Sequence, residues 1–324
     1  MDIWSILENK IKGKNITIVY PESNDERILG AAARHAKDGL LVPVLVGEVE
    51  ATKALAKEKN IDLDNIEIID PKTYADFDTM VASFVERRKG KVDEEKARTM
   101  LLDPNYFGTM LVYMGKADGM VSGAVHSTGD TVRPALQIVK MAPGASRVSG
   151  AMVMIKGEER YLFSDVAINI TTDAQAMGEI AVVSAATAKT FGIDPKVALL
   201  SFSTMGSAVS PESTKVAEAT EIAKNLAPEL ALDGELQFDA AFVEKVAKQK
   251  APNSTVAGHA NVFIFPSLEA GNIGYKIAQR LGGFEALGPI LQGLAKPIND
   301  LSRGCNEEDA YRLAIITAAQ ASEA

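Results

Sequence analysis

The chain has 324 residues, 47% of them hydrophobic, which is enough to bury the core of one large or two ordinary domains. Its 34 basic and 43 acidic residues leave a formal net charge of −9, which argues against general binding to nucleic acids or acidic membranes. The single cysteine excludes an intrachain disulfide, the N-terminal residues carry charges that do not fit a signal peptide, and no uncharged run reaches the ~20 residues of a membrane span, so we expect a soluble cytoplasmic protein.

Short strands and helices alternate through the first part of the chain. The elements predicted there are strand 15–20, helix 24–36, strand 41–46, helix 51–59 and strand 66–69. This alternation predicts βαβ units with a parallel sheet. Pro43 weakens the second strand, because proline cannot donate to a sheet ladder.

A helical region at 74–116 contains the densest basic cluster of the chain, at 86–91. Basic residues at a helix C-terminus complement the helix dipole, so the cluster fits a solvated helix end. In an acidic protein it also fits a patch for a phosphate-rich ligand. Both interpretations remain open from the sequence.

A strand at 117–123 is followed by a turn rich in Ser, Thr and Gly and then by a helix. Backbone N–H groups and the hydroxyls of Ser127 and Thr128 at such a helix start can bind anions, and Arg133 adds a positive charge. The turn lacks the Walker A pattern. Ser127 equally fits a plain N-cap.

A break at 141–146 precedes a change of pattern, which predicts a second domain opening with a β-hairpin at 151–155 and 160–163. The elements predicted after it are helix 173–191, strand 197–202, a helix from Pro211, strand 236–241, strand 261–265 and helix 271–280. Strand ends that carry Ser, Thr and Gly indicate a ligand crevice at the carboxyl edge of a sheet. The three histidines and the cysteine are too scattered for a zinc site, so none of them is predicted to bind a metal, and a metal bound by carboxylates alone stays open from the sequence.

The most unusual stretch follows Pro297, which ends a helix-like apolar run through Ala295. Ser302, Arg303, Gly304 and Cys305 come together there with several carboxylates, before an apolar helix at 310–319. A polar loop between two buried helices is where we expect a functional site. Asp309 also fits helix-start capping by Asn306, which leaves a structural role open.

Four blocks carry a resemblance to a known family, and they are 123–135, 201–208, 265–276 and 297–305. Together they make the sequence similar to the short bacterial form of the phosphate acetyltransferase (phosphotransacetylase) family. The resemblance spans essentially the whole chain. It implies two α/β domains with a central cleft, similar to the isocitrate/isopropylmalate dehydrogenase fold. We expect one domain at 1–143 completed by 297–324, and the other at 144–296.

The resemblance implies reversible transfer of an acetyl group between acetyl-CoA and phosphate, by direct attack of the CoA thiol on acetyl phosphate. Asp309 would be the general base, Ser302 would hydrogen-bond at the reacting centre, and Arg303 would hold acetyl phosphate and its carbonyl oxygen. Cys305 would lie beside the site without acting as nucleophile. The implied substrate-binding residues are Arg133, Arg280, Arg87 in preference to Arg88, Ser127 and Thr128.

Family members are usually homodimers, use CoA as a substrate and need no further cofactor, so small molecules and a second copy are the expected partners. Three alternatives remain open from the sequence. They are a transferase for a longer acyl phosphate such as butyryl phosphate, a metal-dependent dehydrogenase of the isocitrate type, and a non-catalytic module that binds CoA or phosphate.

Overall fold

The computed structural model describes residues 2–323, which form thirteen helices and eleven strands. The helices are α1 (Ile3–Ile11), α2 (Glu26–Asp38), α3 (Val49–Glu58), α4 (Phe77–Arg88), α5 (Glu94–Leu101), α6 (Pro104–Tyr113), α7 (Thr128–Ile138), α8 (Ala174–Thr190), α9 (Pro211–Leu226), α10 (Phe238–Phe242), α11 (Glu244–Lys250), α12 (Leu268–Arg280) and α13 (Glu307–Ala321). The strands are β1 (Thr17–Tyr20), β2 (Val42–Val46), β3 (Glu67–Ile69), β4 (Gly119–Ser122), β5 (Ser149–Lys156), β6 (Glu159–Ser164), β7 (Val197–Leu200), β8 (Leu232–Leu236), β9 (Val262–Ile264), β10 (Glu285–Gln292) and β11 (Ile298–Asp300). These elements build two compact units, one of Ile3–Lys140 with the chain from Leu294 onward, and one of Met141–Gly293.

The first unit is a five-stranded parallel sheet in the order β11-β4-β1-β2-β3. Its central strands β1 and β4 are short and almost entirely buried, as expected for a sheet covered on both faces. The strand order reverses between β1 and β4. The loops that follow these two strands therefore leave the same edge of the sheet side by side, which is where α/β sheets bind ligands.

Helix α13 returns the end of the chain to this unit and packs against α2. Its buried face includes Ala310, Leu313 and Ala314, and α2 contributes Ile28, Leu29 and Ala32 to the same core. This packing fixes the start of α13 near the sheet edge described above.

The second unit has a six-stranded mixed sheet in the order β10-β5-β6-β9-β7-β8. Strands β10, β5 and β6 pair antiparallel, and β6, β9, β7 and β8 pair parallel. The predicted hairpin is confirmed as β5 and β6. The fold class is therefore mixed α/β with parallel strands in both units.

Two predicted elements are wrong. The strand predicted at 236–241 is helix α10, and the strand lies earlier, at β8, where Asp233, Gly234 and Glu235 concealed it because they are poor strand formers. The apolar run before Pro297 is not a helix but strand β10, which pairs with β5. An apolar run alone does not distinguish a buried strand from a helix.

The loop that was predicted to lie between two helices consequently lies between a strand and a helix. It begins with β11, whose Ile298 pairs with Met120 of β4, and it ends at α13. Among the described residues, no helix has both the length and the hydropathy that spanning a membrane requires.

Candidate active site

The loop after β4 is held by a buried carboxylate from the loop after β1. Glu22 is 1% exposed, and its carboxylate accepts the N–H groups of Ala124 at 2.9 Å, Val125 at 2.8 Å and His126 at 2.9 Å. The His126 ring nitrogen Nδ1 lies 2.8 Å from the same carboxylate. Burial alone would raise the pKa of Glu22, but these hydrogen bonds hold its pKa below the ordinary value. Three N–H groups in the predicted anion-binding turn are thus occupied by an internal anion.

The start of α7 is closed by a capping box. The Ser127 hydroxyl accepts the N–H of Asp130 at 3.3 Å and donates to the Asp130 carboxylate at 2.7 Å. Ser127 therefore caps the N-terminus of α7. Thr128 and Arg133 are exposed on the same first turns, and Arg133 lies 3.8 Å from Asp130. The helix start keeps a positive side chain facing solvent, and its binding of an anion stays a prediction.

The loop after β11 is a tight turn that presents Ser302 and Arg303 to solvent. The N–H of Cys305 donates to the Ser302 carbonyl at 2.9 Å, and the N–H of Gly304 donates to the Ser302 hydroxyl at 3.2 Å. Within residues 2–323 the Arg303 guanidinium has no hydrogen bond or ion pair, and its side chain is exposed. The turn therefore offers one hydroxyl and one unpaired cation to a ligand.

Asp309 lies at the third position of α13 and takes part in a capping box with Asn306. One carboxylate oxygen, Oδ2, accepts the N–H of Asn306 at 2.9 Å. The other oxygen, Oδ1, has no hydrogen-bond partner among the described residues, and the side chain is exposed. The carboxylate is thus both oriented and still able to accept a proton.

Arg27 joins the two loops. Its guanidinium donates to the carbonyls of Arg303 at 3.0 Å and Cys305 at 2.8 Å in one loop, and to the carbonyl of Ala124 at 2.9 Å in the other. Asp25, two residues earlier, binds the same guanidinium through both carboxylate oxygens. One side chain therefore connects the two loops at this edge of the sheet.

Gly123 permits the close approach of the same loops. Its φ of 107° lies in the left-handed region, and a Cβ at this position would collide with Asp300 and with the backbone of Leu301. Burial raises the pKa of the Asp300 carboxyl, which is 6% exposed.

Contacts between α2 and α13 set the position of the helix that carries Asp309. Arg34 forms ion pairs with Glu307 at 3.2 Å and Glu308 at 2.8 Å. The ring of His35 stacks on Tyr311 with centroids 4.1 Å apart, and its Nε2 donates to the Tyr311 carbonyl at 3.0 Å. The start of α13 is therefore braced from one side by a single helix.

Cys305 is 8% exposed, and burial raises the pKa of its thiol. A buried thiol with a raised pKa is a poor nucleophile at neutral pH. The Cys305 side chain is buried in the turn, and its backbone carbonyl accepts one of the hydrogen bonds from Arg27.

The remaining predicted arginines differ in their surroundings. Arg87 donates to the carbonyls of Ile138 at 2.6 Å and Val139 at 3.0 Å, at the end of α7, and its guanidinium lies 4.7 Å over the Tyr113 ring. Within residues 2–323, Arg88 makes a single long hydrogen bond, of 3.4 Å, to the Gln137 carbonyl. Arg280 ends α12 in the second unit and is exposed.

Residues 2–323 contain no group of three or more His, Cys, Asp or Glu side chains placed to hold a metal ion. The structure thus places Ser302, Arg303 and Cys305 in one turn and Asp309 in the first turn of the helix that follows it, and Arg27 joins that turn to the loop that begins at Ala124.

Glu22, Asp25 and Arg27 were missed by the sequence-based predictions. They follow β1 directly, at the carboxyl edge of a predicted parallel strand, and that placement was the available signal. Their partners lie up to 278 residues away in the sequence, so spacing could not reveal the contacts.

The α/β fold, the exposed Arg303 guanidinium and the exposed Asp309 carboxylate at the start of the helix that follows the same turn fit group transfer from an anionic donor. The family model described as "Phosphate acetyl/butaryl transferase" matches residues 2–318. The chain belongs to this family and is an acyltransferase.

Individual relatives are similar over their whole length. Phosphate acetyltransferase of Bacillus subtilis (strain 168) is 61% identical over 320 residues, which cover 99% of each chain. A crystal structure of a phosphotransacetylase from Streptococcus pyogenes is 60% identical, with a TM-score of 0.98 and full coverage of both chains. A structure described as a 4-hydroxythreonine-4-phosphate dehydrogenase from Salmonella typhimurium shares the fold alone, at 13% identity and a TM-score of 0.56 over 94% of this chain and 99% of that one. The predicted dehydrogenase-like α/β fold is confirmed.

Proposed function

We propose that the protein is a phosphate acetyltransferase, which reversibly converts acetyl-CoA and phosphate into CoA and acetyl phosphate. The observation that carries the proposal is the unpaired Arg303 guanidinium, presented by a braced turn in the same loop that leads to the free oxygen of Asp309. Family membership and the full-length similarity to phosphate acetyltransferases support the choice of reaction.

The thiol of CoA must lose its proton before it can attack, because the thiolate is the nucleophile and a free thiol has a pKa near ~8.5. We propose that Asp309 Oδ1 accepts this proton. The hydrogen bond from Asn306 to Oδ2 supports the role, since it fixes the carboxylate without occupying Oδ1. Proximity has to supply much of the effect, because a carboxylate is a weak base.

The thiolate sulfur then forms a bond to the carbonyl carbon of acetyl phosphate, and the bond from that carbon to the phosphate oxygen breaks. Phosphate leaves with the electron pair, and no covalent enzyme intermediate is needed. We propose that Arg303 stabilises the negative charge that develops on the carbonyl oxygen, and that Ser302 hydrogen-bonds at the same centre. A fixed donor of this kind is worth about 3–4 kcal/mol in the transition state.

Substrate phosphates require further cations in a chain with a net charge of −9. We propose Arg133 and Arg280 for this role, with Ser127 and Thr128 contributing at the start of α7. Their exposure supports the proposal. Arg87 is retained from the family resemblance, although backbone carbonyls already occupy its guanidinium.

The test is consumption of acetyl-CoA by the purified protein, followed as thioester loss or free thiol release. The proposal predicts that acetyl-CoA is consumed only when phosphate or arsenate is present. With phosphate, the product should be acetyl phosphate. Consumption that is independent of both anions, or binding of CoA without any transfer, would reject it.

Butyryl phosphate is the second candidate acyl donor, because the matching family model covers both acetyl and butyryl transferases. The ratio of kcat/KM for acetyl phosphate and butyryl phosphate decides between them. We expect it to favour acetyl phosphate. We also propose a homodimer, as the resemblance implies, and light scattering coupled to gel filtration tests it by the molar mass in solution.

A further inference from the structure

Arg27 makes an unusual set of contacts for a residue outside the predicted site. Its guanidinium reaches three backbone carbonyls, those of Ala124, Arg303 and Cys305, at 2.8–3.0 Å. Its other N–H groups bind both carboxylate oxygens of Asp25 at 2.8 and 2.9 Å. These hydrogen bonds therefore fix either the backbone of the two loops or the orientation of the Arg27 guanidinium itself.

The carbonyls it binds belong to the two loops that carry residues of the proposed reaction. The carbonyls of Arg303 and Cys305 both accept hydrogen bonds from the same nitrogen, Nη1, and these bonds fix the direction of the turn that presents Ser302 and Arg303. The carbonyl of Ala124 belongs to a loop whose next residues lead to Ser127 and Thr128 and whose N–H groups are held by Glu22. One guanidinium thus sets the separation of the two loops.

We propose that Arg27 is a positioning residue for the acyl transfer: it holds the Ser302–Arg303 turn in register with the Ala124–Thr128 loop, so that the Arg303 guanidinium is aimed at the developing oxyanion. This inference rests on the proposed function. Lysine cannot replace it, since an ammonium is a point donor and lacks the planar fork that reaches carbonyls on two loops at once.

Contacts of other residues also hold the helix that carries Arg27 in place. The start of α2 is capped by Asp25, whose carboxylate accepts the backbone N–H of residue 27 whatever side chain that residue carries. The hydrophobic contacts of α2 come from Ile28, Leu29 and Ala32. Arg27→Lys is therefore expected to fold while releasing the turn.

Cys305 supplies a readout that is independent of activity. It is the only cysteine of the chain, it is buried, and its own carbonyl is one of the Arg27 acceptors. Release of the turn should expose its thiol to a neutral alkylating reagent. Iodoacetamide labelling of the folded protein thus measures the geometry of the turn directly.

The experiment compares wild type, Arg27→Lys and the control Arg98→Lys, whose arginine makes ion pairs with Asp78 and Glu94 and contacts neither loop. For Arg27→Lys we expect kcat to fall by about 10–100-fold, because a displacement of ~1 Å can cost 10²-fold. The KM for CoA should change little, and Cys305 should be alkylated several-fold faster. Arg98→Lys should match wild type in all three measurements.

Asp25→Asn is the second variant, used with a thermal melt to verify folding. It keeps an oxygen acceptor for the helix cap but removes the charge that orients Arg27, so a smaller change in the same directions is expected. Wild-type kcat in Arg27→Lys, or unchanged labelling of Cys305, would overturn the proposal. If wild type itself transfers no acetyl group, the proposed function fails, while faster labelling of Arg27→Lys still supports the hold on the turn and unchanged labelling rejects it.

Discussion

Asn306 and Asp309 exchange hydrogen bonds at the start of α13, with each backbone N–H donating to the other residue's side chain at 2.9 Å. This arrangement satisfies two N–H groups that a helix start leaves without partners. It also orients a carboxylate whose second oxygen has no hydrogen-bond partner in the part of the chain that the structure describes. Asp309 thus has a structural role in the described structure and a catalytic role in the proposed reaction, and the two are separable by mutation.

Asp309→Asn should remove the base and keep the cap, because an amide oxygen can still accept the N–H of Asn306. We expect kcat to fall by about 10²–10⁴-fold, with the melting temperature and the Kd for CoA nearly unchanged. Acetyl transfer rates, calorimetric CoA binding and thermal melts measure the three quantities. Asn306→Ala is the matched variant, which should cost about 0.5–2 kcal/mol of stability and far less activity than Asp309→Asn. Turnover at the wild-type rate in Asp309→Asn would reject this residue as the base.

Arg303 should contribute to the transition state more than to the binding of CoA. Removal of one fixed donor typically lowers kcat by about 10²–10³-fold, and we expect this for Arg303→Gln with a small change in the KM for CoA. Stability should not change, because the exposed side chain has no hydrogen bond or ion pair within residues 2–323. Steady-state kinetics with both substrates varied separate kcat from the two KM values. A large rise in the KM for CoA at constant kcat would instead assign Arg303 to CoA binding.

The sequence allowed most of the first unit to be predicted, because alternating β-branched runs and amphipathic helices carry their own periodicity. It did not allow β11 to be predicted, since three residues after a proline become a strand only by pairing with β4. The same limit applies to the site. Ser302, Arg303 and Asp309 stand out locally, whereas Arg27 acquires its role only when the fold brings it to a turn 276 residues away.

Because His35 is buried, we expect the free energy of unfolding to decrease in acid. Burial lowers its pKa to about 4, so between that value and its ordinary pKa near 6.5 the unfolded chain binds a proton that the folded protein does not. Stability therefore falls as the pH decreases from about 6.5 to 4, by up to roughly 3 kcal/mol from this residue. His35→Phe keeps an aromatic ring against Tyr311 and removes the titration, so its unfolding free energy should vary less over this range. Denaturant unfolding at several pH values measures it, and parallel curves for the two proteins would contradict the prediction.

For the His126–Glu22 pair we expect a pH dependence of stability with the opposite sign. The hydrogen bond that His126 donates to the Glu22 carboxylate raises the pKa of His126, and burial acts against this shift. The histidine therefore contributes stability that is complete below about pH 6.5 and is lost as the pH rises through its raised pKa. Glu22 has a lowered pKa and loses its contribution only in acid. The melting temperature of wild type should exceed that of His126→Gln most at pH 5.5–6.5 (roughly the range where both partners are charged), and the difference should shrink towards pH 9. A difference that grows with pH would show that the pair is not ionised in this way.

Arg87 and Arg88 can be distinguished by separating stability from substrate binding. Because Arg87 donates to two backbone carbonyls at the end of α7 and lies over Tyr113, Arg87→Met should lower stability by about 1–3 kcal/mol. Arg88 has a single long hydrogen bond, so Arg88→Met should cost less stability. If Arg87 has the ligand-binding role that the family resemblance implies, the KM for CoA should rise in Arg87→Met and not in Arg88→Met. Thermal melts and initial rates at varied CoA concentration test both effects. A rise in KM for CoA in Arg88→Met, with wild-type KM in a folded Arg87→Met, would transfer the ligand-binding role to Arg88 and leave Arg87 as a support for the end of α7.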